Sequence, residues 1–467
     1  MPSEIDWETT LFLSVGIAGN LIILIFIFSI VCKLIRLRKA KDDTKLLTTS
    51  RVKETAGVKM SNKNEYRLMA PAKPSEQDGP VLKKARLQES PSDGEVMDIS
   101  SESIPTSSEG SETIQNNEKP PNKRVVGCFN SCSSTPITEN QLKKLTHAVY
   151  VHDFLTYDGE VRIKTETARM KFEELKNKAK DTKVMISLGG ESHFSELFAG
   201  PVTRRKLINS ILSFLESYQI DGVDLFWKWP VASDKQRYSI FVKELRQAFL
   251  SESKSYILSV TSAPAGIPGY WPVGFDLEEM VKHVDFINIF SMDFYGPWGQ
   301  ETGPAAPLFY GVEPRHDFHV DYTVEYYTRR LANSRSKLNI VIPMDVRIWY
   351  HVRDLLEPAI SQVYGLAESE TRGVFPFGRI YNSRKQAEEA GIDLTNGLWD
   401  ATTSSSFLRS QTDETLATFE DKRSVEAKLS FVIEKNLGGV WIRNVDMDDG
   451  VCSLMDTVEF DVFSKCL

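Results

Sequence analysis

The stretch DGVDLFWKWP, residues 221–230, sets two carboxylates, an ammonium and two indoles at the end of an apolar run. Asp221 and Asp224 could hold or pass a proton, and Lys228 stands between Trp227 and Trp229. A general acid works best with a pKa near the operating pH. A carboxylic acid near about 4.3 is raised into that range more readily than an ammonium near about 10.4 is lowered into it. Burial can bring a lysine down by several units, so the chemistry is not forbidden, but lysine is a poor proton donor. Metal chemistry finds no support: the five cysteines (Cys32, Cys128, Cys132, Cys452, Cys466) are scattered, and no His/Cys cluster has metal-ligand spacing. Nothing in the chain calls for a cofactor. Cys128 and Cys132 read either as a pair or as small packed residues.

Those side chains must be held by a folded domain, and 467 residues suffice for one large domain plus extras. With 56 basic against 64 acidic side chains, and no long basic stripe outside the first 60 residues, the chain is not a nucleic-acid binder.

Residues 1–10 form a short tail before the uncharged run Leu11 to Cys32, about 22 residues. At 1.5 Å per residue this covers a hydrocarbon core of roughly 30 Å, so the run is expected to cross a membrane. Glu4, Asp6 and Glu8 precede it, and Lys33, Arg36, Arg38 and Lys39 follow, the pattern of an uncleaved single-pass anchor. The flanking charges place the remainder in the cytoplasm; the absence of any Asn-x-Ser/Thr acceptor agrees with this. From the basic flank through residue 123, the Ser-, Pro- and acid-rich texture of PAKPSEQDGP and SSESIPTSSEGSE predicts a disordered linker.

From Arg124 the chain turns to short apolar runs: 124–129, 146–154, 183–190, 222–226, 256–262, 285–291, 339–343 and 438–443. Amphipathic segments such as TRRKLINSILSFLESY and SVEAKLSFVIEK separate them. Eight strands alternating with helices predict an α/β fold, a (β/α)8 TIM barrel, with a doubly wound open sheet as the alternative. About 95 residues lie between the last two strands, room for a small insertion at 345–415. In a parallel barrel chemistry gathers at the C-terminal strand ends, where DGVDLFWKWP falls.

SLGG (187–190), DGVDLFWKWP, VDFINIFSMDFYGPWG (284–299), KLNIVIPMDVRIW (337–349) and LGGVWIRNVDMDD (437–449) resemble, in order, the motifs of family 18 glycoside hydrolases, the chitinases and chitinase-like lectins. The resemblance covers about residues 124–462 and implies chitin or N-acetylglucosamine oligomers as ligand. It also implies a lumenal or extracellular barrel, against the flanking charges. In that family a strand ending DGxDxDWExP carries a glutamate that protonates the leaving oxygen, while the substrate's acetamido oxygen attacks, held by the neighbouring aspartate and a tyrosine. Asp221, Gly222, Asp224, Trp227 and Pro230 match the pattern; Phe226 stands for the last aspartate and Lys228 for the glutamate. Met292 replaces the tyrosine before Asp293, Asp345 stands for another tyrosine with Arg347 kept, and Glu191 replaces the tryptophan after SLGG. Arg443 aligns with the tryptophan on which the reacting sugar stacks; Trp441, two positions earlier on the same strand face, restores that floor if the alignment slips.

Three functions follow as alternatives: a barrel without hydrolytic activity that keeps a binding or signalling role at a membrane, a hydrolase with a displaced acid (Asp224, Asp293 or Asp345), or a scaffold for an unidentified protein partner. Trp227, Trp229, Trp271, Trp298 and Trp349 are aromatic platforms for a sugar or wall residues of the barrel. Asp221 and Asp224, read as interior carboxylates, need compensating charge, which Lys228 or Arg443 could supply.

Overall fold

The computed structural model describes residues 123–458 apart from 191–192, 268–271, 313–314, 356–361, 369–376 and 449–453. The apolar run 11–32 and the linker through residue 122 lie outside the described residues. Among the described residues, no helix is long and apolar enough to cross a membrane.

Eight parallel strands close into a barrel: β1 (Arg124–Asn130), β2 (His147–Val151), β3 (Lys183–Gly190), β4 (Gly222–Trp227), β5 (Ile257–Ser262), β6 (Phe286–Ile289), β7 (Leu338–Pro343) and β8 (Gly439–Arg443). Each pairs with its sequence neighbours, and β8 pairs with β1 to close the ring. This is the expected (β/α)8 architecture, and the open-sheet alternative falls because no edge remains. Val223, Leu225 and Trp227 alternate with Asp224 and Phe226 along β4, so apolar side chains face the helices while the others fill the barrel.

The helices form where apolar residues recur at helical spacing. In Glu166–Lys178, Ala168, Phe172 and Leu175 are buried on one face, and the Thr165 hydroxyl accepts from the Ala168 amide to cap the start. Burying Phe172 and Leu175 contributes roughly 1.5–3 kcal/mol each. Pro201 opens the helix Pro201–Tyr218, and Gln219, at φ 53°, ends it in the left-handed region.

Between β7 and β8 the chain builds a five-stranded antiparallel sheet rather than a loop, in the order 378–381, 346–349, 415–419, 405–410, 398–400. It reaches Phe419, four residues beyond the expected insertion. A buried ion pair at its end, Lys428 Nζ to Glu420 Oε1 at 2.8 Å, ties it to the helix Lys422–Glu434 that leads into β8.

Candidate functional site

The barrel interior is layered, and β4 passes through each layer. Asp221 precedes β4 and belongs to the N-terminal face. Its carboxylate accepts from the Val184 amide at 2.9 Å and lies 3.6 Å from Lys183 Nζ and 3.5 Å from Lys254 Nζ. This corrects the interior placement: Asp221 and Asp224 are three positions apart, an odd spacing, and side chains on a strand alternate, so the two cannot share a face.

Asp224 is fully buried inside the barrel. Oδ1 accepts from Ser259 Oγ at 2.6 Å and Asn288 Nδ2 at 3.2 Å; Oδ2 accepts from Thr261 Oγ1 at 3.0 Å and Ser187 Oγ at 3.4 Å. Burial pushes its carboxyl above the usual carboxylate range, against the pull of these four bonds. Asn288 in turn accepts from Asn339, and Asn339 from Arg124, so a polar thread runs down to the first residue of β1. The expected charge compensation by Lys228 or Arg443 is therefore corrected: hydroxyls and an amide satisfy Asp224.

Above Asp224 lies an aromatic layer. The Phe226 ring stacks on Phe290 at 5.7 Å and meets Trp441 edge-on at 6.1 Å. Trp441 is 1% exposed and donates Nε1–H to Cys128 Sγ at 2.9 Å. It is interior packing, and an open sugar-stacking floor at Trp441 is corrected on that ground. The Cys128 thiol is pushed up to about 12 by burial, and Cys128 and Cys132 are both free. Arg443 caps the layer, its guanidinium carbon 5.1 Å from the Phe226 ring centre, 5.3 Å from Trp441 and 5.7 Å from Phe290.

Lys228 follows β4 at the mouth, its ammonium 5.3 Å from the Phe290 ring centre. SLGG brings β3 close here: a Cβ on Gly189, at φ 146°, would stand 1.8 Å from the Phe226 carbonyl oxygen, so only glycine fits. Trp227 points outward and is packed between Phe194, Phe198 and Tyr238, in the barrel wall.

A second polar group stands beside this layer. Arg347, fully buried, donates Nη2–H to Asp293 Oδ1 at 2.6 Å, Nε–H to Asp345 Oδ2 at 2.8 Å and Nη1–H to the Tyr295 carbonyl, with Trp298 over its face at 5.1 Å. Burial alone would lower the guanidinium pKa, but the two carboxylates outweigh it and hold the charge. Burial would likewise raise Asp293; Arg347, Lys228 and Arg443 reverse this and hold its carboxyl below the usual range. Asp293 adopts φ 63°, and Met292 before it is buried. Among the described residues, Oδ1 of Asp345 is buried without a partner.

The structure thus brings Asp224, Phe226, Lys228, Met292, Asp293, Asp345, Arg347, Trp441 and Arg443 to one end of the barrel and leaves out Asp221 and Trp227. Trp349 is buried, Trp229 and Trp298 are half-buried, and Glu191 and Trp271 lie outside the described residues. Sequence reasoning missed Ser187, Ser259, Thr261 and Asn288. Their signal was present as polar residues interrupting apolar strands.

A closed eight-stranded parallel barrel with these strand ends is a glycosidase-type TIM barrel, and residues 124–448 match glycosyl hydrolases family 18, to which the chain belongs. Among curated relatives it is 27% identical to "Probable chitinase 2" of Drosophila melanogaster, over 62% of this chain and 61% of that one. It is 25% identical to human "Chitinase-3-like protein 2", over 62% of this chain and 77% of that one. The chain thus spans about three fifths of the fly relative's length. Of solved structures, the Ostrinia furnacalis Group IV chitinase superposes with a TM-score of 0.61 at 21% identity, covering 73% of this chain and 100% of that one. YKL-39, solved in the presence of chitooligosaccharides, superposes with a TM-score of 0.60 at 22% identity, covering 73% and 97%. At these identities the solved structures establish the fold.

Proposed function

We propose that this chain is a chitinase-like barrel that binds carbohydrate without hydrolysing it and is held at a membrane by its N-terminal apolar run. The observation that carries the reading is the content of the proton-donor position: Lys228 stands there, over the Phe290 ring, where a carboxylic acid is required.

None of the carboxylates at this end is a suitable substitute. Asp224 is 1% exposed under Phe226 and held by four donors, so it does not reach a scissile oxygen. Asp293 is kept ionised by Arg347 and has no proton to give. Asp345 is bonded to the same arginine. The residue that would orient an acetamido group is Phe226, whose ring has no acceptor. Substrate-assisted hydrolysis thus lacks both its acid and its positioning carboxylate.

Support for a retained carbohydrate role comes from the family itself and from the relative solved in the presence of chitooligosaccharides. Half-buried Trp229 and Trp298 and the exposed Tyr157, stacked on His193 at 4.7 Å, supply apolar faces against which a sugar ring can lie. Titration of the purified full chain with N-acetylglucosamine oligomers, with chromatography of the same mixtures, tests the reading. Saturable binding with intact oligomers is expected; intact oligomers without binding would defeat the carbohydrate role, and shortened products would defeat the inactive one.

A further inference from the structure

We propose that Phe226 fills the space in which the 2-acetamido group of a sugar would sit, so that this barrel takes neutral β-1,4-linked oligosaccharides, glucose and N-acetylglucosamine chains alike. This rests on the carbohydrate-binding reading and names the ligand class of the same site.

Reading an acetamido group takes room for it beside the sugar ring and polar partners for its amide. The room at the end of β4 is taken. The Phe226 ring meets Phe290 at 5.7 Å, Trp229 at 5.9 Å and Trp441 at 6.1 Å, and Trp229 meets Phe290 at 5.3 Å. Four rings thus close on one another, and Phe226, Phe290 and Trp441 are each at most 5% exposed. The polar partners are replaced as well. Phe226 stands where the resemblance places the aspartate that holds the acetamido group, and its ring has no acceptor. The positions of the two tyrosines carry Met292, which has no hydroxyl, and Asp345, which is bonded to Arg347. Asp224 lies one layer down, under Phe226, and already accepts from four donors.

What the mouth offers a sugar instead is ring faces. Trp229 and Trp298 are half-buried, and each is fixed from behind. Trp229 packs on Phe226 and Phe290, whereas Trp298 lies over the Arg347 guanidinium at 5.1 Å and directly on the backbone of Gly296, where a Cβ would stand 2.3 Å from the indole. Held in this way, an indole loses little freedom when a ligand covers it. A β-linked glucose-type ring has its substituents equatorial, so both its faces are C–H, and a face laid on an indole presents the same C–H groups whatever C2 carries. The C2 substituent projects from the edge of the sugar, towards the space that Phe226 occupies. Stacking therefore holds glucose and N-acetylglucosamine chains equally, and one side chain removes the discrimination that a pocket at C2 would supply.

The test is calorimetric titration of the full chain in detergent micelles with two β-1,4-linked tetramers, one of N-acetylglucosamine and one of glucose. A pocket that reads one extra group discriminates by about tenfold or more. The wild type is expected to bind both tetramers with affinities less than about tenfold apart. Phe226→Ala, which takes the ring out of that space, is expected to gain about tenfold for the N-acetylglucosamine tetramer and nothing for the glucose tetramer. A melting curve shows that the variant is folded, and Phe226→Val, a smaller truncation, repeats the comparison if it is not. A difference of about tenfold or more between the tetramers in the wild type, in either direction, overturns this inference and leaves the carbohydrate reading in place. So does a folded variant whose relative affinity is that of the wild type. No binding of either tetramer by the wild type overturns both.

Discussion

The guanidinium of Arg443 lies 5.1 Å from the Phe226 ring, so two departures from the family pattern, on strands at opposite sides of the barrel, meet across its mouth. Each answers the other. An aspartate at 226 would pair with Arg443, and a tryptophan at 443 would stack on Phe226; together, phenylalanine and arginine form a cation–aromatic contact over Trp441.

That contact makes Phe226 part of the core. Phe226→Ala opens a void beneath Arg443 and between Phe290 and Trp441, and is expected to lower stability by about 3–5 kcal/mol. Urea unfolding followed by tryptophan fluorescence checks this; a loss below about 1 kcal/mol would mean that the layer is not tightly packed.

Arg347 holds two carboxylates with one guanidinium. Arg347→Met is expected to cost about 3–5 kcal/mol, because Asp293 and Asp345 are left without their partner. Folding lowers the Asp293 pKa, so its contribution is complete above the unfolded value near about 3.9 and is lost as pH falls through the folded value. Urea midpoints between pH 2 and 6 should fall with acid in the wild type more steeply than in Asp293→Asn. Parallel profiles would contradict the assignment.

Asp224 has the opposite sign. Folding raises its pKa, so stability declines as pH rises from about 3.9 through the folded value, where the buried group must ionise. In Asp224→Asn the amide oxygen keeps Ser259 and Asn288, and the NH2 faces Thr261 and Ser187, whose hydroxyls can turn to accept. The variant is expected to stay within about 1 kcal/mol of wild type at pH 7 and to lack that decline. A melting-temperature profile that keeps the decline would show that another group causes it.

The two described cysteines should differ in reactivity. Cys132 is exposed, whereas Cys128 is buried with its thiol pushed up to about 12. Peptide mapping after alkylation of the native protein at pH 8 should find Cys132 modified and Cys128 protected until denaturant is added. Equal labelling would show that the interior opens readily.

Much of this architecture is legible in the chain because barrel strands and helices differ in period. Runs such as KVMISLGG and GVDLF match their strands to within a residue, since each is a short apolar segment ending in glycine or a polar loop. The motif order placed Phe226, Lys228, Asp293 and Arg443 at one end. The partners of Asp224 were not legible: Ser187, Ser259, Thr261 and Asn288 come from three strands and converge only when the ring closes. The misplacement of Asp221 was avoidable, because strict alternation already separates it from Asp224. The burial of Trp441 could not be read from its strand face, since it depends on Phe226 from β4 and Phe290 after β6 packing against it.

On the proposed function, the barrel mouth does not protonate a glycosidic oxygen. The most direct measurement is the time course of reducing-end release from N-acetylglucosamine hexamer by the purified full chain from pH 4 to 8, with Asp224→Asn and Asp293→Asn alongside. No release above the buffer rate, for all three proteins, is the predicted result. Release by the wild type that either acid-to-amide change abolishes would contradict it.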